Sequence, residues 1–284
     1  MLSAESQPAY LLLNRQDDIG YLARALAYDL KSNLDSEGSL FMMYQPQIDG
    51  EGNIYGCEAL LRWDHKKFGF IPPPTIIAIA EEAGLHSRLN EWIFASALAA
   101  QSRFKERGYD KLIMSINISP LQLDNPNIPI ILEEAIKQYS LNPQMIEVEL
   151  TENVALNDSR ETRTALERYK NLGVRLAIDD FSMGHTSIQY IRSFQFDTVK
   201  LDGSLVSDIL TNDSSRDIVQ ALVSLASNLD MHVIAEFVES EEQKNTLHDL
   251  GCRIYQGYLY SKPLPSENFE DYMSKGNVVQ DKKI

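Results

Sequence analysis

Two adjacent carboxylates, Asp179 and Asp180, are the side chains of this sequence best placed to do chemistry. They close the stretch 174–178, which is mostly apolar, is β-branched at both ends and follows the helix-stop pair Leu172-Gly173. This pattern predicts a buried strand. Adjacent acids repel each other and are costly to bury, and divalent cations with oxygen ligands commonly compensate for them. An isolated Asp-Asp would more often cap a helix or face water, so the interpretation depends on the other strand ends.

Polar residues recur at the ends of several other predicted strands. At alternate positions the sequence shows Ser115 with Asn117, Glu149 with Thr151, and Lys200 with Asp202, followed by Glu236 and Gln256. In a barrel the carboxyl ends of parallel strands meet at one mouth. The acids and Lys200 are therefore expected to converge there. Convergent carboxylates with an amide oxygen indicate Mg²⁺ or Mn²⁺, and two successive aspartates suit a bridged pair of ions, as in phosphodiester-cleaving sites.

The order of predicted elements favours an α/β barrel. An amphipathic helix over 19–34 precedes two strands, 40–44 and 54–63, which the turn signal at 49–52 joins into a hairpin. Residues 69–74 are predicted as a loop. The remaining predicted helices are 75–83, 85–104, 128–139, 160–172, 185–191, 215–229, 241–250 and 269–273, and the remaining strands are 111–118, 145–151, 174–179, 198–201, 232–237 and 253–258. About eight strands predict a (β/α)8 barrel. An open doubly wound sheet is the alternative, which the lack of a glycine-rich GxGxxG motif weakens.

Composition narrows the class of protein and its location. The chain of 284 residues has 41 acidic and 26 basic residues and a formal charge of −15, which disfavours binding to a nucleic-acid polymer. A small anionic ligand stays compatible if metals or a few local cations neutralise the site. Cys57 and Cys252 form no disulfide framework and no zinc pattern. The sequence shows no signal peptide and no apolar run of roughly 18 residues. We expect a cytoplasmic location, either free or as the cytoplasmic part of a membrane-anchored protein.

A further set of motifs begins around Glu58, in Cys57-Glu58-Ala59-Leu60-Leu61-Arg62-Trp63. The others are Tyr44-Gln45-Pro46, Ser115-Ile116-Asn117-Ile118-Ser119, Glu149-Leu150-Thr151-Glu152, Asp179-Asp180-Phe181, Lys200-Leu201-Asp202, Ala235-Glu236-Phe237-Val238-Glu239, Gln256-Gly257-Tyr258-Leu259 and Ser261-Lys262-Pro263-Leu264. In order and spacing this set resembles the EAL-domain cyclic di-GMP phosphodiesterases. The tripeptide Glu58-Ala59-Leu60 alone would not identify a family, because it often occurs by chance. The whole set of motifs, over residues 20–273, is highly specific.

The resemblance implies a fold and a reaction. The fold is a variant TIM (β/α)8 barrel with one antiparallel strand, which agrees with the predicted hairpin. The reaction is hydrolysis of cyclic di-GMP to linear 5′-pGpG, with two ions of Mg²⁺ or Mn²⁺. By position, the resemblance assigns one ion to Glu58, Asn117, Glu149 and Asp179, with Asp179 bridging to a second ion that Asp180 and Glu236 also hold.

The same resemblance implies roles for the remaining residues. Lys200 would contact the attacking water or the phosphate, with Glu236 or an adjacent acid as general base. The catalytic set it implies is Glu58, Glu152, Asp180, Lys200, Glu236 and Glu239. The substrate set is Gln45, Leu61, Arg62, Asp180, Gln256, Lys262 and Pro263. Arg62 offers a fork that matches a phosphate or a guanine edge.

Two segments depart from the family pattern. Residues 182–187 read Ser-Met-Gly-His-Thr-Ser, whereas the family usually has Gly-Thr-Gly-Tyr-Ser-Ser in this loop, which is tied to Glu152 and linked to metal placement and dimer coupling. Phe237 replaces the usual glycine, so that it narrows the nucleotide pocket or stacks on a base. Neither departure removes a metal ligand, but both affect the expected rate, metal affinity and regulation.

Three functional hypotheses follow for the chain. The leading hypothesis is an active phosphodiesterase, and the second is a catalytically inactive receptor for cyclic di-GMP. The third is a purely structural interaction module, which would not explain the energetic cost of the convergent acids. We expect a linker at 1–18, the EAL domain at 19–274 and a tail at 275–284. A homodimer, with contacts around Ile188 and Ile191, is the expected assembly, although core packing explains these two residues equally well. An upstream sensory or GGDEF domain in a longer protein is also expected.

Overall fold

The computed structural model describes residues 16–36, 38–152, 160–181 and 195–275, in which strands and helices alternate. The strands are β1 (Leu40–Asp49), β2 (Ile54–His65), β3 (Gly69–Ile71), β4 (Ile113–Asn117), β5 (Ile146–Thr151), β6 (Arg175–Phe181), β7 (Thr198–Leu201), β8 (His232–Ala235), β9 (Ile254–Gln256) and β10 (Leu264–Pro265). The helices are α1 (Gln16–Asp35), α2 (Pro73–Glu82), α3 (His86–Glu106), α4 (Pro120–Asp124), α5 (Ile128–Gln138), α6 (Arg160–Leu172), α7 (Gly203–Ser207), α8 (Asp213–Asn228), α9 (Glu241–Asp249) and α10 (Ser266–Ser274). A 3-10 turn covers Pro143–Met145.

Eight of these strands close into a barrel in the order β1-β9-β8-β7-β6-β5-β4-β2, with β2 pairing back to β1. Strand β1 runs antiparallel to both of its barrel neighbours, β2 and β9, and the other barrel pairs are parallel. The short strands β3 and β10 pair with the edges of β2 and β1. The prediction of a variant (β/α)8 barrel with one antiparallel strand is therefore confirmed.

The alternation of residues along the strands separates the core from the barrel interior. Val148 and Leu150 are fully buried in the apolar layer between strands and helices, while Glu149 projects from the other face of β5. At the opposite end of the interior, Glu147 accepts hydrogen bonds from Ser115 and Thr198 and pairs with Arg175. The barrel interior is thus polar at both ends, and these partners compensate for the acid at the amino-terminal end.

Helix α6 shows how the surrounding helices pack. Its buried residues, Thr162, Ala165, Leu166 and Tyr169, recur at helical spacing on one face. The helix ends at Leu172, and Gly173 follows with φ +82°, a conformation that favours glycine. The predicted stop signal before β6 is confirmed, and it fixes where the strand carrying the two aspartates begins.

The predicted loop over 69–74 is wrong, because this segment contains β3 and the start of α2. Gly69 turns the chain at φ +68°, so that Ile71 pairs with Trp63 of β2. Pro73 then begins α2, at a position where proline loses no helical hydrogen bond. Three paired residues are too few to show a strand periodicity in sequence.

Other boundaries differ by a few residues. The strand predicted over 232–237 ends at Ala235, so Glu236 and Phe237 lie beyond it. Helices α4 and α7 were not predicted, because five residues show little helical periodicity. Their caps are nonetheless visible in sequence: Ser119 forms a capping box with Gln122, and the Asp202 carboxylate accepts from the Ser204 N–H.

Part of the predicted organisation lies outside the described residues. This holds for residues 1–15, the predicted helix near 185–191 and residues 276–284. Helix α1 begins at Gln16, within the predicted linker. Across the described ranges, no helix has both the length and the apolar character required to cross a bilayer.

Candidate active site

The Lys200 ammonium lies at the centre of a group of carboxylates at the mouth of the barrel. Its Nζ is 2.8 Å from Glu236 Oε1, 2.9 Å from Glu149 Oε2, 3.2 Å from Asp179 Oδ1 and 3.4 Å from Glu58 Oε2. The Lys200 side chain is 0% exposed. These four acids come from β2, β5, β6 and the residue after β8. Alternation along the strands predicts this convergence for Glu149, Asp179 and Glu236, and the family resemblance adds Glu58. We call Lys200 and its four acidic partners, together with Asp180, the acidic cage.

Amide side chains hold Glu58 in place. Asn117 Nδ2 donates to Glu58 Oε1 at 2.7 Å, and Gln256 Nε2 donates to Glu58 Oε2 at 2.6 Å. Gln256 also contacts Gln45, and its Oε1 accepts from Gln47 Nε2 at 3.0 Å. The β1–β2 and β1–β9 registers explain these contacts, since Gln45 pairs with Glu58 and Gln47 pairs with Gln256.

An irregularity in β6 places the two aspartates. Between the pairs Ile178–Val199 and Phe181–Leu201, β6 advances by three residues while β7 advances by two. The extra residue has the character of a β-bulge, a device that redirects side chains near active sites. Asp180 takes φ +55° there, and its side chain is exposed whereas that of Asp179 is half-buried.

The donor set fits hard divalent cations. Ligand oxygens of Asp179, Asp180 and Glu236 all lie within 4.8 Å of one another. Glu149 Oε1 is buried and accepts no hydrogen bond from any described residue, and the same holds for Asp179 Oδ1 despite its proximity to Lys200. Buried carboxylate oxygens are normally satisfied, so these two are available as ligands. An all-oxygen set of this kind suits Mg²⁺ or Mn²⁺.

Burial and mutual repulsion shift the acid–base equilibria of the acidic cage. Burial, reinforced by Asp179 and Glu58, raises the pKa of Glu236 to about 8 against the attraction of Lys200. Burial also raises the pKa of Glu149 well above its ordinary value. The cage therefore carries more negative charge than its one ammonium compensates, and it favours additional cations or protons.

Glu58 and Lys200 shift in ways that match their partners. Burial alone would raise the pKa of Glu58, but the Lys200 ammonium and the amide hydrogen bonds outweigh it and lower that pKa. Burial alone would lower the pKa of Lys200, but the surrounding carboxylates outweigh it and raise that pKa well above its ordinary value. Glu58 and Lys200 are thus held as ions.

A cavity of about 370 Å³ opens above the acidic cage. Its described lining residues are Gln45, Glu58, Leu60, Arg62, Asp179, Asp180, Glu236, Phe237, Glu239, Gln256, Gly257, Tyr258 and Pro263. Most predicted site residues therefore meet at one opening. Glu149 and Lys200 are fully buried, and Asn117 contacts the cage through Glu58.

Three predicted site residues belong neither to the acidic cage, nor to its hydrogen-bonded partner Asn117, nor to the described lining of this cavity. Leu61 lies on the opposite face of β2 in the hydrophobic core, and its carbonyl accepts from Arg62. Lys262 lines a neighbouring surface pocket, with its Nζ 5.2 Å from the centroid of the Tyr258 ring. Glu152 is buried just after β5. The Leu61 side chain therefore points away from this cavity, and the assignment of Leu61 to the substrate set stays a prediction.

Sequence reasoning missed four residues that shape the site: Gln47, Leu60, Gly257 and Tyr258. Alternation along β2 could have found Leu60, which shares a face with Glu58 and Arg62, and alternation along β1 could have found Gln47 beside Gln45. Gly257 and Tyr258 lie in a quoted motif, but their role depends on the close approach of two chain segments.

Gly257 provides a test of this close approach. A Cβ at this position would lie 2.2 Å from the Val238 carbonyl oxygen and 2.3 Å from its nitrogen. We expect Gly257→Ala to destabilise the fold by about 1–3 kcal/mol, as overpacking typically does, which lowers the melting temperature by about 2–12 °C. Differential scanning calorimetry measures this. Gly50→Ala is the matched control, because within the described chain its Cβ would meet no atom closer than 3.6 Å. Equal melting of the two variants would contradict the prediction.

Comparisons with known proteins agree with this geometry. The model of the EAL domain family matches residues 27–263. An uncharacterized signaling protein of Caulobacter vibrioides is 36% identical over 262 residues, which cover 92% of this chain and 32% of that protein. The cyclic di-GMP phosphodiesterase PA2567 of Pseudomonas aeruginosa is 32% identical over 257 residues, covering 89% of this chain and 43% of that protein.

A solved structure shows the same likeness in three dimensions. The PaMucR phosphodiesterase in complex with c-di-GMP superposes with a TM-score of 0.80 at 30% identity, covering 86% of this chain and 99% of that one. The family match spans most of the chain and includes the strands that carry the acidic cage. This chain therefore belongs to the EAL domain family.

Proposed function

We propose that this chain hydrolyses cyclic di-GMP to linear 5′-pGpG in a reaction that requires Mg²⁺ or Mn²⁺. The observation that carries the proposal is the acidic cage, in which four carboxylates surround one ammonium beneath an open cavity and the Asp180 carboxylate lies beside those of Asp179 and Glu236. A purely structural role would leave this burial of like charge only partly compensated, by the single Lys200 ammonium. The similarity to a named cyclic di-GMP phosphodiesterase and to a c-di-GMP complex supports this substrate.

The acidic cage would hold two ions. Glu58, Asn117, Glu149 and Asp179 are proposed for one, and Asp179, Asp180 and Glu236 for the other. When bound, two such ions make water nucleophilic near neutral pH and stabilise charge on the phosphoryl oxygens. Asn117 and Gln256 orient Glu58 through hydrogen bonds, which fixes one ligand before any ion arrives.

Lys200 and the remaining acids have distinct proposed roles. Lys200 already contacts four carboxylates, and ions entering the acidic cage would release its ammonium toward the attacking water or the phosphate. Glu236 is the proposed general base, with Glu239, which also lines the cavity, supporting that end. Glu152 is proposed to act through the loop that follows β6.

The cavity wall would bind the nucleotide. Gln45 is held by its bond to the Ser261 carbonyl, and Arg62 lines the same cavity. An arginine fork recognises a phosphate or the Hoogsteen edge of guanine. Pro263 completes the wall, and Lys262 adds positive charge beside it.

The decisive experiment is hydrolysis of cyclic di-GMP by the purified chain with Mg²⁺ and then with Mn²⁺. We expect metal-dependent formation of pGpG, measured by liquid chromatography, and a loss of at least about 100-fold in Glu58→Ala, because a metal ligand contributes several kcal/mol to the barrier. Glu51→Ala is the matched control, since Glu51 is exposed in the β1–β2 turn. Metal-dependent product formation by wild type and by Glu51→Ala, but not by Glu58→Ala, would establish that the chain is a phosphodiesterase.

Other outcomes would favour the competing hypotheses. Cyclic di-GMP binding without product, with either metal, would contradict catalysis and favour a receptor. A chain that neither bound nor cleaved the nucleotide would favour a structural interaction module. A titration with Mn²⁺, measured by calorimetry, distinguishes this last case, because an interaction module without a metal site would show no saturable metal binding.

The setting of the activity is also a proposal. The matched regions are 32% and 43% of the length of the two relatives, which supports an upstream sensory or GGDEF domain in a longer protein. The free, buried thiols of Cys57 and Cys252 fit the reducing cytoplasm. A homodimer is proposed as well, and light scattering would measure the mass of the assembly. The residues expected at its contact, Ile188 and Ile191, lie outside the described residues.

A further inference from the structure

The residue after Glu236 is an aromatic side chain that the fold holds open to the cavity. Phe237 is 61% exposed and lines the cavity, whereas its neighbours Glu236 and Val238 are buried. Backbone hydrogen bonds anchor Val238 on both sides: its N–H donates to the Gln256 carbonyl, and its carbonyl accepts from the Leu259 N–H. The chain at this point has little freedom to turn Phe237 inward.

Phe237 also occupies a backbone conformation that disfavours a large side chain. Its φ is +54°, in the left-handed region that glycine adopts freely and that bulky residues rarely adopt. Strained residues of this kind cluster at ligand-binding sites. The backbone strain and the exposure of the aromatic ring both lower the stability of the fold. Stability therefore does not explain the phenylalanine at this position.

A second residue makes room for the ring. At Gly203 a Cβ would lie 2.4 Å from Phe237 Cδ2 and 2.9 Å from Cγ and Cε2. One edge of the ring therefore packs against the Gly203 backbone, at the start of α7. This contact fixes the position of the ring while most of its surface stays accessible.

The ring has companions suited to a nucleotide. Tyr258, 47% exposed, lines the same cavity, as does Arg62. Exposed aromatic surface next to a polar site commonly marks a binding surface. Phe237 directly follows Glu236, a proposed metal ligand, and lines the same cavity, so a nucleotide whose phosphate contacted the proposed ions would lie close to this ring.

We propose that Phe237 is a stacking platform for one guanine base of cyclic di-GMP and thereby sets the affinity for the nucleotide. The inference rests on the proposed function and deepens it. Stacking of a base on an aromatic ring contributes enough that its loss weakens binding by about 10- to 100-fold. A ring that merely blocked the cavity would have the opposite effect, because its removal would tighten binding.

The test compares Phe237→Gly, Phe237→Leu and Phe237→Trp in the full chain with Mn²⁺. Affinity for cyclic di-GMP is read as KM, or as Kd from calorimetry if wild type forms no product. We expect Phe237→Gly and Phe237→Leu to weaken affinity by about tenfold or more, with kcat changed by less than about twofold, and Phe237→Trp to retain it. Phe237→Gly should fold, because its backbone conformation suits glycine.

Controls separate stacking from other effects. Tyr28→Ala removes a 75% exposed aromatic from α1 and should leave affinity unchanged. Mn²⁺ binding without nucleotide should also be unchanged in Phe237→Gly, because phenylalanine offers no ligand atom. Equal or tighter nucleotide binding by Phe237→Gly, or wild-type affinity in Phe237→Leu, would overturn this inference alone. A wild-type chain that bound no cyclic di-GMP would overturn both this inference and the proposed function.

Discussion

Replacing Asp179 by asparagine should abolish metal-dependent turnover and, in the same protein, raise the stability of the metal-free fold. Asp179 is proposed to bridge both ions, and its Oδ1 is buried without a hydrogen bond from the described residues. Asparagine keeps the shape but loses the charge that makes the group a strong ligand. Its removal also relieves repulsion from Asp180, Glu236 and the rest of the acidic cage.

The two effects have opposite signs, which makes the experiment informative. We expect kcat to fall by about 1,000-fold or more, since two-ion catalysis contributes several kcal/mol. We expect relief of this repulsion to make the metal-free protein melt about 2–4 °C higher, which corresponds to a gain of about 1 kcal/mol. Calorimetry in EDTA measures the second effect, and pGpG formation measures the first.

Asp64→Asn serves as the control for Asp179→Asn. Asp64 is an exposed aspartate near the end of β2 that does not belong to the acidic cage. It should change neither turnover nor the response of the melting temperature to Mn²⁺. Loss of turnover in Asp179→Asn together with a lower metal-free melting temperature would contradict the repulsion argument, because it would mean that the carboxylate contributes more through Lys200 than it costs through its acidic neighbours.

The barrel could be predicted from the sequence because its strands and helices alternate with clear periodicity. The stretch 174–178, the Gly173 stop and the hairpin between β1 and β2 each carry local signals, and together they allow few architectures. The pairing of Gly69–Ile71 with β2 could not be predicted. It depends on a contact with the end of another strand rather than on any property of three residues taken alone.

The acids of the site were predictable for a related reason. Alternation along a strand decides which residues face the barrel interior, and parallel strands bring their carboxyl ends together. This argument placed Glu149, Asp179 and Glu236 correctly. It could not show that the extra residue in β6 turns Asp180 outward, because a bulge depends on the register with β7.

Leu61 shows the limit of transferring roles by motif. The resemblance implies that Leu61 belongs to the substrate set, which stays a prediction, whereas alternation along β2 sends the Leu61 side chain into the core and that of Leu60 into the cavity. Lys200 shows a different limit. Its position on β7 was predictable, but its contact with four carboxylates at once depends on the closure of the barrel.

That central contact suggests how the acidic cage tolerates its own charge before ions arrive. The ammonium lies among the proposed ligands of both ions, so it partly compensates for the charge that the ions would otherwise neutralise. Metal binding and movement of Lys200 should therefore be coupled, because ions would compete with the ammonium for the same oxygens. A displaced ammonium would place a positive charge beside the substrate.

Lys200→Met should test this coupling with the largest effect on stability. Methionine fills much of the buried volume but leaves Glu149 and Glu236 without their 2.9 Å and 2.8 Å partner, and breaking a buried ion pair costs about 3–5 kcal/mol. In EDTA the variant should melt about 6–20 °C below wild type. Saturating Mn²⁺ should then raise its melting temperature by more than it raises that of wild type, because ions replace the missing charge. Turnover should stay low, since the ions restore the fold but not the ammonium beside the phosphate.

Lys137→Met removes an exposed partner of Glu133 and should melt like wild type. If Lys200→Met matched wild type in EDTA, protons rather than Lys200 would be compensating the acidic cage, and metal binding would have to displace those protons instead.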